Sequence, residues 1–485
     1  MINENNTIWF LLNDKTVRIN FDQTNGLSPT TTVLQFLRNQ PSTKGTKEGC
    51  AEGDCGACTV VLASLNKDNK LEFKAYDSCL LFLPMIHGKQ LITVEYLKTK
   101  TAVHPVQQAM VDTDGSQCGY CTPGFIMSLF ALYKSSNKPS REEIDDALTG
   151  NLCRCTGYRP IIEAAIKSCE NTITDNTTIN EEVVIELLKE IKQPKEIISI
   201  LSDSQKYFKP NSIVDTLKLK FNYPTAIIVS GATDIALRVT KKHELLSEII
   251  DISNVDELKQ CSVKDEYFYF GSGLNLEDIR LKSKNILPAL YKMLCVFGSR
   301  QIRNMATLGG NIANASPIGD MPPVLMAYNA SVMLEGIYGK RELKINDFIT
   351  GYRTTQLKPT EIISGIIIPK PEQNVIIQSY KISKRKDLDI STVSAAFSLK
   401  LNSNFTVNNI QMYYGGMAAM TKEPAQTKKF IIGKKWERET IEEAMKLIDQ
   451  EFTPISDARS GAEARKIMAK NLLLKFWTDT INSQQ

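Results

Sequence analysis

Apolar positions near the N-terminus come in short runs split by turn residues. Residues 8–12 and 17–21 flank Asn13-Asp14-Lys15, which predicts a β-hairpin. A short helix is predicted over 32–39 and strands over 59–64 and 71–76, with a loop rich in Gly and Cys ahead of the first of these strands. This is the pattern of a small α+β domain ending near residue 98. Beyond residue 101 the spacing turns helical. One helix starts at Pro105 and reaches Val111. Thr122-Pro123 supplies a cap and an N1 proline for a second, to about Lys134. Ser140 and Glu143 make a capping box for a third, which stops at Gly150. Pro160 opens a fourth, to about Cys169, and four short helices make a compact bundle.

Residues 171–180 are polar and non-periodic, the start of a linker with a helix at 181–192 and loose chain to about 205. The remainder alternates strand-like runs, at 226–230, 266–270, 331–335, 362–368 and 393–399, with helical stretches. The run 362–368 contains Ser364 and Gly365 and reads as a buried strand. Pro369-Lys370-Pro371 divides this remainder in two. The expected division is 1–98, 99–172, a linker at 173–205, 206–370 and 371–485.

A length of 485 residues agrees with about two to four domains. The apolar content of 42% and charged content of 23% are ordinary for globular chains. A net charge of +4 gives no reason to expect nucleic acid or an anionic membrane as partner. The N-terminus lacks the basic region of a signal peptide, and no run of about 18 apolar residues occurs. A cytoplasmic location is therefore expected.

Cysteine changes the picture. Of eleven, nine lie between Cys50 and Cys169, and the odd count with close spacing disfavours disulfides and favours metal. Cys261 and Cys295 read as small core residues and Cys169 as structural. Only three histidines occur, His87, His104 and His243, none in a recognisable motif. Few acid–base residues are expected where cofactors carry the chemistry.

Cys50, Cys55 and Cys58 stand as C-x4-C-x2-C with Cys79 further on, the plant-type spacing for a [2Fe–2S] cluster. Gly49, Gly53 and Gly56 between them allow positive φ and bring N–H groups toward sulfur. A zinc knuckle is the competing reading, but zinc prefers two short C-x2-C pairs. Cys118 and Cys121 form C-x2-C, and Cys153 and Cys155 form C-x-C, each pair just ahead of a helix start. Four thiolates between two helix N-termini suit an anionic two-iron core. Zinc fits this second set on spacing alone.

In the second half, a strand leads into Gly231-Ala232-Thr233-Asp234, and a second Gly-rich stretch, TLGGNIANASPIGD, spans 307–320. Both offer N–H groups and small side chains to a phosphate. Neither is G-x-G-x-x-G, so a Rossmann site has no support.

The segments EGCAEGDCGACTV, CGYCTPG and NLCRCTGYRP resemble the iron–sulfur part of the xanthine dehydrogenase (molybdenum hydroxylase) family, and SGATDIAL and TLGGNIANASPIGD resemble its FAD domain. The resemblance covers about residues 5–480. It implies an α+β multidomain chain: a β-grasp ferredoxin-like domain, a four-helix [2Fe–2S] domain and a vanillyl-alcohol-oxidase-type FAD domain with a C-terminal α/β subdomain. Two clusters followed by FAD in one chain is similar to the small-subunit arrangement of bacterial members. The resemblance implies that Cys50, Cys55, Cys58 and Cys79 hold one cluster and Cys118, Cys121, Cys153 and Cys155 the other. It implies that Ile228, Val229, Ser230, Gly231, Ala232, Thr233, Asp234 and Ile235 wrap the FAD pyrophosphate. Phe297, Gly309, Gly310, Asn311, Asn314, Ser316, Asp320, Ile363 and Lys381 would line the rest of the cofactor. Lys381 would place positive charge near the reduced ring; otherwise it reads as a solvated lysine in a basic run. Asn314 stands where a relative carries Thr, and Leu388 where some relatives have an acidic residue near the flavin.

Fused members carry a molybdopterin domain after the flavin domain. With the sequence ending at Gln485, the molybdenum cofactor is expected on a partner large subunit, in a pair of heterodimers. The implied activity is electron transfer from purine oxidation through two [2Fe–2S] clusters to FAD and on to NAD+. An aldehyde or another N-heterocycle is the alternative substrate, and a non-catalytic zinc scaffold the alternative of another class.

Overall fold

The computed structural model describes residues 5–22, 26–99, 102–170, 175–192, 197–202 and 204–482. Parts of the expected linker, residues 173, 174, 193–196 and 203, lie outside them. The chain divides into two units, Met1–Val255 with Ser299–Ala306, and Asp256–Gly298 with Thr307–Gln485.

In the first unit, strand Thr59–Leu65 is apolar on both faces because each face is covered. Val60 and Leu62 point to a core with Ile8, Phe10, Val33 and Leu37, while Val61 and Ala63 point to one with Phe125, Leu129 and Ile144. The first core lies between helix Val33–Asn39 and a five-stranded sheet in the order Lys15–Asn20, Thr7–Leu12, Gln90–Ile92, Thr59–Leu65, Leu71–Asp77. Thr7–Leu12 runs parallel to Gln90–Ile92, and the other pairings are antiparallel. The hairpin turn forms at Asn13, whose φ of 59° suits asparagine. The second core belongs to helices Pro105–Asp112, Thr122–Ser135, Arg141–Leu148 and Arg159–Ser168. The Ser140–Glu143 capping box is present. Thr122 does not cap its helix: Cys121 takes that position without a side-chain bond, which moves Thr122 and Pro123 inside the first turn.

The predicted helix Glu181–Lys192 forms. The loose chain expected after it holds a strand, Ile198–Leu201, in a sheet with Lys206–Lys209, Glu248–Asp251 and Ile227–Val229. The run at 226–230 supplies the expected strand Ile227–Val229, while polar residues hid Lys206–Lys209 and Glu248–Asp251. Lys209 and Asp251 are fully buried, with Lys209 Nζ 2.5 Å and the Tyr207 hydroxyl 2.7 Å from the Asp251 carboxylate. A buried charge is tolerated when it is paired and hydrogen-bonded.

The second unit contains a five-stranded antiparallel sheet: Cys261–Val263, Tyr267–Gly271, Ile362–Pro369, Ser331–Gly336, Gly339–Lys344. Gly365 lies under the Tyr269 ring, where a Cβ would stand 2.4 Å from the nearest ring carbon, so this break in the apolar run is a packing requirement. The antiparallel strands Val375–Ile382, Val393–Leu401 and Val407–Gly415 form a separate sheet. They share a core containing Phe397, Tyr414, Phe452, Leu473 and Phe476 with helices Arg438–Glu451 and Ala462–Asn482. Cys169 is buried as expected, whereas Cys261 and Cys295 are only half-buried, not core residues. Among the described residues no helix is long and apolar enough to cross a membrane.

Candidate functional site

The loop carrying Cys50, Cys55 and Cys58 coils tightly because Ala51, Gly53 and Gly56 take φ values of 54°, 76° and 67°. Its N–H groups point at sulfur. Those of Glu52 and Asp54 donate to Cys50 Sγ at 3.4 and 3.3 Å, and that of Cys50 donates to Cys55 Sγ at 3.4 Å. Cys79 follows strand Leu71–Asp77, which brings its sulfur to 3.4 Å from that of Cys58. The Cys50 thiol is pulled down to about 6, first by its hydrogen bond with Cys55 and then, against burial, by these N–H groups. Asp77, which the spacing argument missed, is pushed up to about 8 by burial and then by the charge of Cys50.

The second set pairs in the same way. Cys118 lies beside Cys155, and Cys121 beside Cys153. Cys121 caps helix Thr122–Ser135. Tyr158, with φ 69°, caps Arg159–Ser168 and accepts the Cys153 N–H on its hydroxyl at 3.1 Å. Burial first, then the sulfurs of Cys153 and Cys118, push Cys121 up to about 12. Cys118 and Cys155 are exposed.

All eight predicted thiols thus fall into two groups of two pairs. Two thiols per iron is what a two-iron core takes, and the N–H groups aimed at Cys50 suit a thiolate ligand. Among the described residues no three Cys, His, Asp or Glu side chains are arranged to hold a single metal ion. The two cysteine loops are close-packed. A Cβ on Gly124 would stand 2.1 Å from the Gly56 carbonyl oxygen, and one on Gly56 would stand 2.4 Å from that of Gly150. Asn151 Nδ2 donates to the Gly56 carbonyl at 3.1 Å, a contact that nothing in the spacing announced.

The residues expected around FAD are divided between the units. In the first, Ile227–Val229 leads into the loop through Ser230, Gly231, Ala232, Thr233, Asp234 and Ile235. Ala232 has φ 59°, and a Cβ on Gly231 would stand 1.7 Å from the Met305 carbonyl oxygen, so only glycine fits there. In the second unit, Thr307 caps helix Leu308–Asn314 by accepting the Gly310 N–H. A Cβ on Gly309 would stand 2.5 Å from Cβ of Ser272. Asn311 Oδ1 and Ser272 Oγ are buried without a hydrogen-bond partner among the described residues. Buried acceptors and donors of this kind are accounted for when a polar ligand group reaches them. Asn314 accepts from Arg353. Ser316 opens the turn toward Asp320, and Ile363 is buried in strand Ile362–Pro369. Phe297 is half-buried. Lys381 is not a solvated lysine. It is buried with Nζ 2.9 Å from Asp320 Oδ2, and Ser391, which the sequence did not single out, donates to Asp320 Oδ1 at 2.5 Å. The Lys381 charge is therefore already paired within the protein.

His87 accepts the Trp9 N–H, and burial lowers it to about 4. His104 is buried against Asp175. Neither lies in a ligand set.

Three sequence families match. Residues 93–166 match a [2Fe–2S] binding domain, 202–371 an FAD binding domain in molybdopterin dehydrogenase, and 378–480 a CO dehydrogenase flavoprotein C-terminal domain. The xanthine dehydrogenase of Emericella nidulans is 32% identical over 98% of this chain and 39% of its own length. That of Calliphora vicina is 33% identical over 98% and 39%, and xanthine dehydrogenase 1 of Arabidopsis thaliana 31% over 92% and 38%. The chain thus spans about two fifths of the length of these relatives. Among solved structures, carbon monoxide dehydrogenase from Hydrogenophaga pseudoflava is 22% identical with a TM-score of 0.53, covering 56% of this chain and 96% of that one. Quinoline 2-oxidoreductase from Pseudomonas putida 86 is 22% identical with a TM-score of 0.52, covering 56% and 95%. Both show a shared fold.

Proposed function

This chain carries the iron–sulfur and FAD domains of the molybdenum hydroxylase family, and on that premise we propose that it is the electron-transfer subunit of a xanthine dehydrogenase. It would work beside a large subunit that holds the molybdenum cofactor, in a pair of heterodimers in the cytoplasm. The observation that carries the reading is the pairing of all eight thiols into two four-sulfur sets within a chain that also has an FAD domain. When bound, the clusters would carry electrons singly and the flavin would join those steps to a two-electron acceptor, NAD+.

The chain's own residues supply placement. Cys50, Cys55, Cys58 and Cys79 would hold one cluster in a loop whose N–H groups stabilise thiolate charge. Cys118, Cys121, Cys153 and Cys155 would hold the other at two helix N-termini, on an exposed face open to a partner. Ile228 to Ile235 and the segment from Gly309 to Asp320 would take the FAD. Xanthine as the partner's substrate rests on the similarity to fungal, insect and plant xanthine dehydrogenases.

Anaerobic addition of NADH to the purified chain tests the acceptor. Bleaching of the flavin and cluster absorbance supports NAD+. No bleaching by NADH, with full bleaching by dithionite, contradicts it.

A further inference from the structure

A six-residue helix that contains none of the eight cysteines is keyed into the junction between the two ligand loops. Helix Arg300–Met305 starts at Ser299, whose hydroxyl accepts the Ile302 N–H. It belongs to the same compact unit as both loops. Gln301 is fully buried. Its Nε2 donates to Ser128 Oγ at 2.9 Å and to Asn151 Oδ1 at 3.0 Å. Ser128 in turn donates to Asn151 Oδ1 at 2.6 Å. With its oxygen held by two donors, the Asn151 amide has one orientation left, and its Nδ2 reaches the Gly56 carbonyl.

Asn151 stands two residues before Cys153, and Gly56 stands between Cys55 and Cys58. One side-chain amide thus orders backbone in both sets. The seat is built for it: a Cβ on Gly150 would lie 2.4 Å from Gln301 Oε1. The rest of the helix presses on the same loops and on the FAD loop. Ile302 Cδ1 lies 2.9 Å from where a Cβ on Gly53 would be, and the Met305 carbonyl lies against Gly231.

We propose that Gln301 is a positioning residue for both clusters, acting through Asn151 on the Gly56 carbonyl and the chain around Cys153. This rests on the two-cluster reading above. Backbone dipoles near the sulfurs set a cluster's potential and its electronic symmetry. Without the Gln301 donor, Asn151 Oδ1 keeps one of its two donors, Ser128, so the amide is held less firmly and its bond to the Gly56 carbonyl, which Thr59 also reaches, weakens. Both clusters should respond to one substitution.

The test uses the full chain with Gln301→Met, which keeps the volume and removes the donor, beside Asn304→Ala. Asn304 lies on the same helix and is buried, and among the described residues its side chain bonds the Ala75 carbonyl at 2.9 Å. Iron is quantified first in the unaltered chain, and its absence would fail the two-cluster reading itself. With iron present, the reduced chains are compared by electron paramagnetic resonance and by redox titration. The expected result is altered g-values and shifted midpoint potentials for both clusters in Gln301→Met, or loss of iron from both sets, with neither change in Asn304→Ala. Unaltered spectra and potentials in Gln301→Met would overturn the proposal, as would equal changes in Asn304→Ala.

Discussion

The backbone N–H of Leu152 donates to the carbonyl of Cys55 at 3.0 Å. Leu152 immediately precedes Cys153, so a residue of one proposed ligand set is tied by its own backbone to the neighbour of a residue in the other. The two loops form one packed junction, and a change at its glycines should be felt by both sets.

Gly56→Ala tests this. The new Cβ would meet the Gly150 carbonyl at 2.4 Å in a backbone with φ of 67°. Overpacking and left-handed strain together predict a loss of about 2–5 kcal/mol. Gly119→Ala has φ of 80° but nothing within 4 Å, so strain alone applies, about 1–2 kcal/mol. Thermal melts and iron content check this. Gly56→Ala should lower both well below Gly119→Ala, and equal losses would contradict a shared junction.

The order of electron transfer is open to a single substitution. Cys118 is exposed, so replacing it should leave the fold intact. With the proposed molybdenum partner bound, the proposed function predicts that Cys118→Ser abolishes turnover of purine while NADH oxidation by an artificial acceptor persists. Equal loss of both activities would contradict a route from the helical domain's cluster to the flavin.

Much of the geometry was legible because it is local in sequence. C-x4-C-x2-C lies on one loop, and C-x2-C and C-x-C each precede a helix, so spacing pointed to the eight thiols that the structure gathers into two groups. Capping is equally local, as Ser140 and Glu143 show. What escaped depends on distant partners. Nothing near Gln301 announces that Asn151 lies beside it, and Lys209 in strand Lys206–Lys209 looks solvated until Asp251 is found against it. Without the resemblance Lys381 reads as solvated for the same reason, and Asp320 explains why it is buried.

Asp175 makes a prediction about acid. It caps helix Asn176–Ile179 and meets His104 Nε2 at 3.2 Å and Lys134 Nζ at 3.3 Å. Burial acts to raise its carboxyl, but hydrogen bonds from His104 and Thr177 and the charge of Lys134 outweigh it and hold the group well below the usual range. A depressed carboxyl gives stability that is complete above its unfolded value, about 4. That stability is lost as pH falls from there through the lower folded value. Asp175→Asn should cost about 1–3 kcal/mol at pH 7. Its urea midpoint should converge on that of the unaltered chain as pH falls below about 4. A constant gap down to pH 2 would contradict this assignment.

The central claim is that the eight thiols hold iron beside a flavin in one chain, and the most direct measurement is an absorption spectrum with iron, zinc and FAD quantified per chain. About four irons and one FAD, in a red-brown protein, is the result expected from two two-iron clusters and one flavin site. A colourless protein containing zinc and no flavin would contradict it.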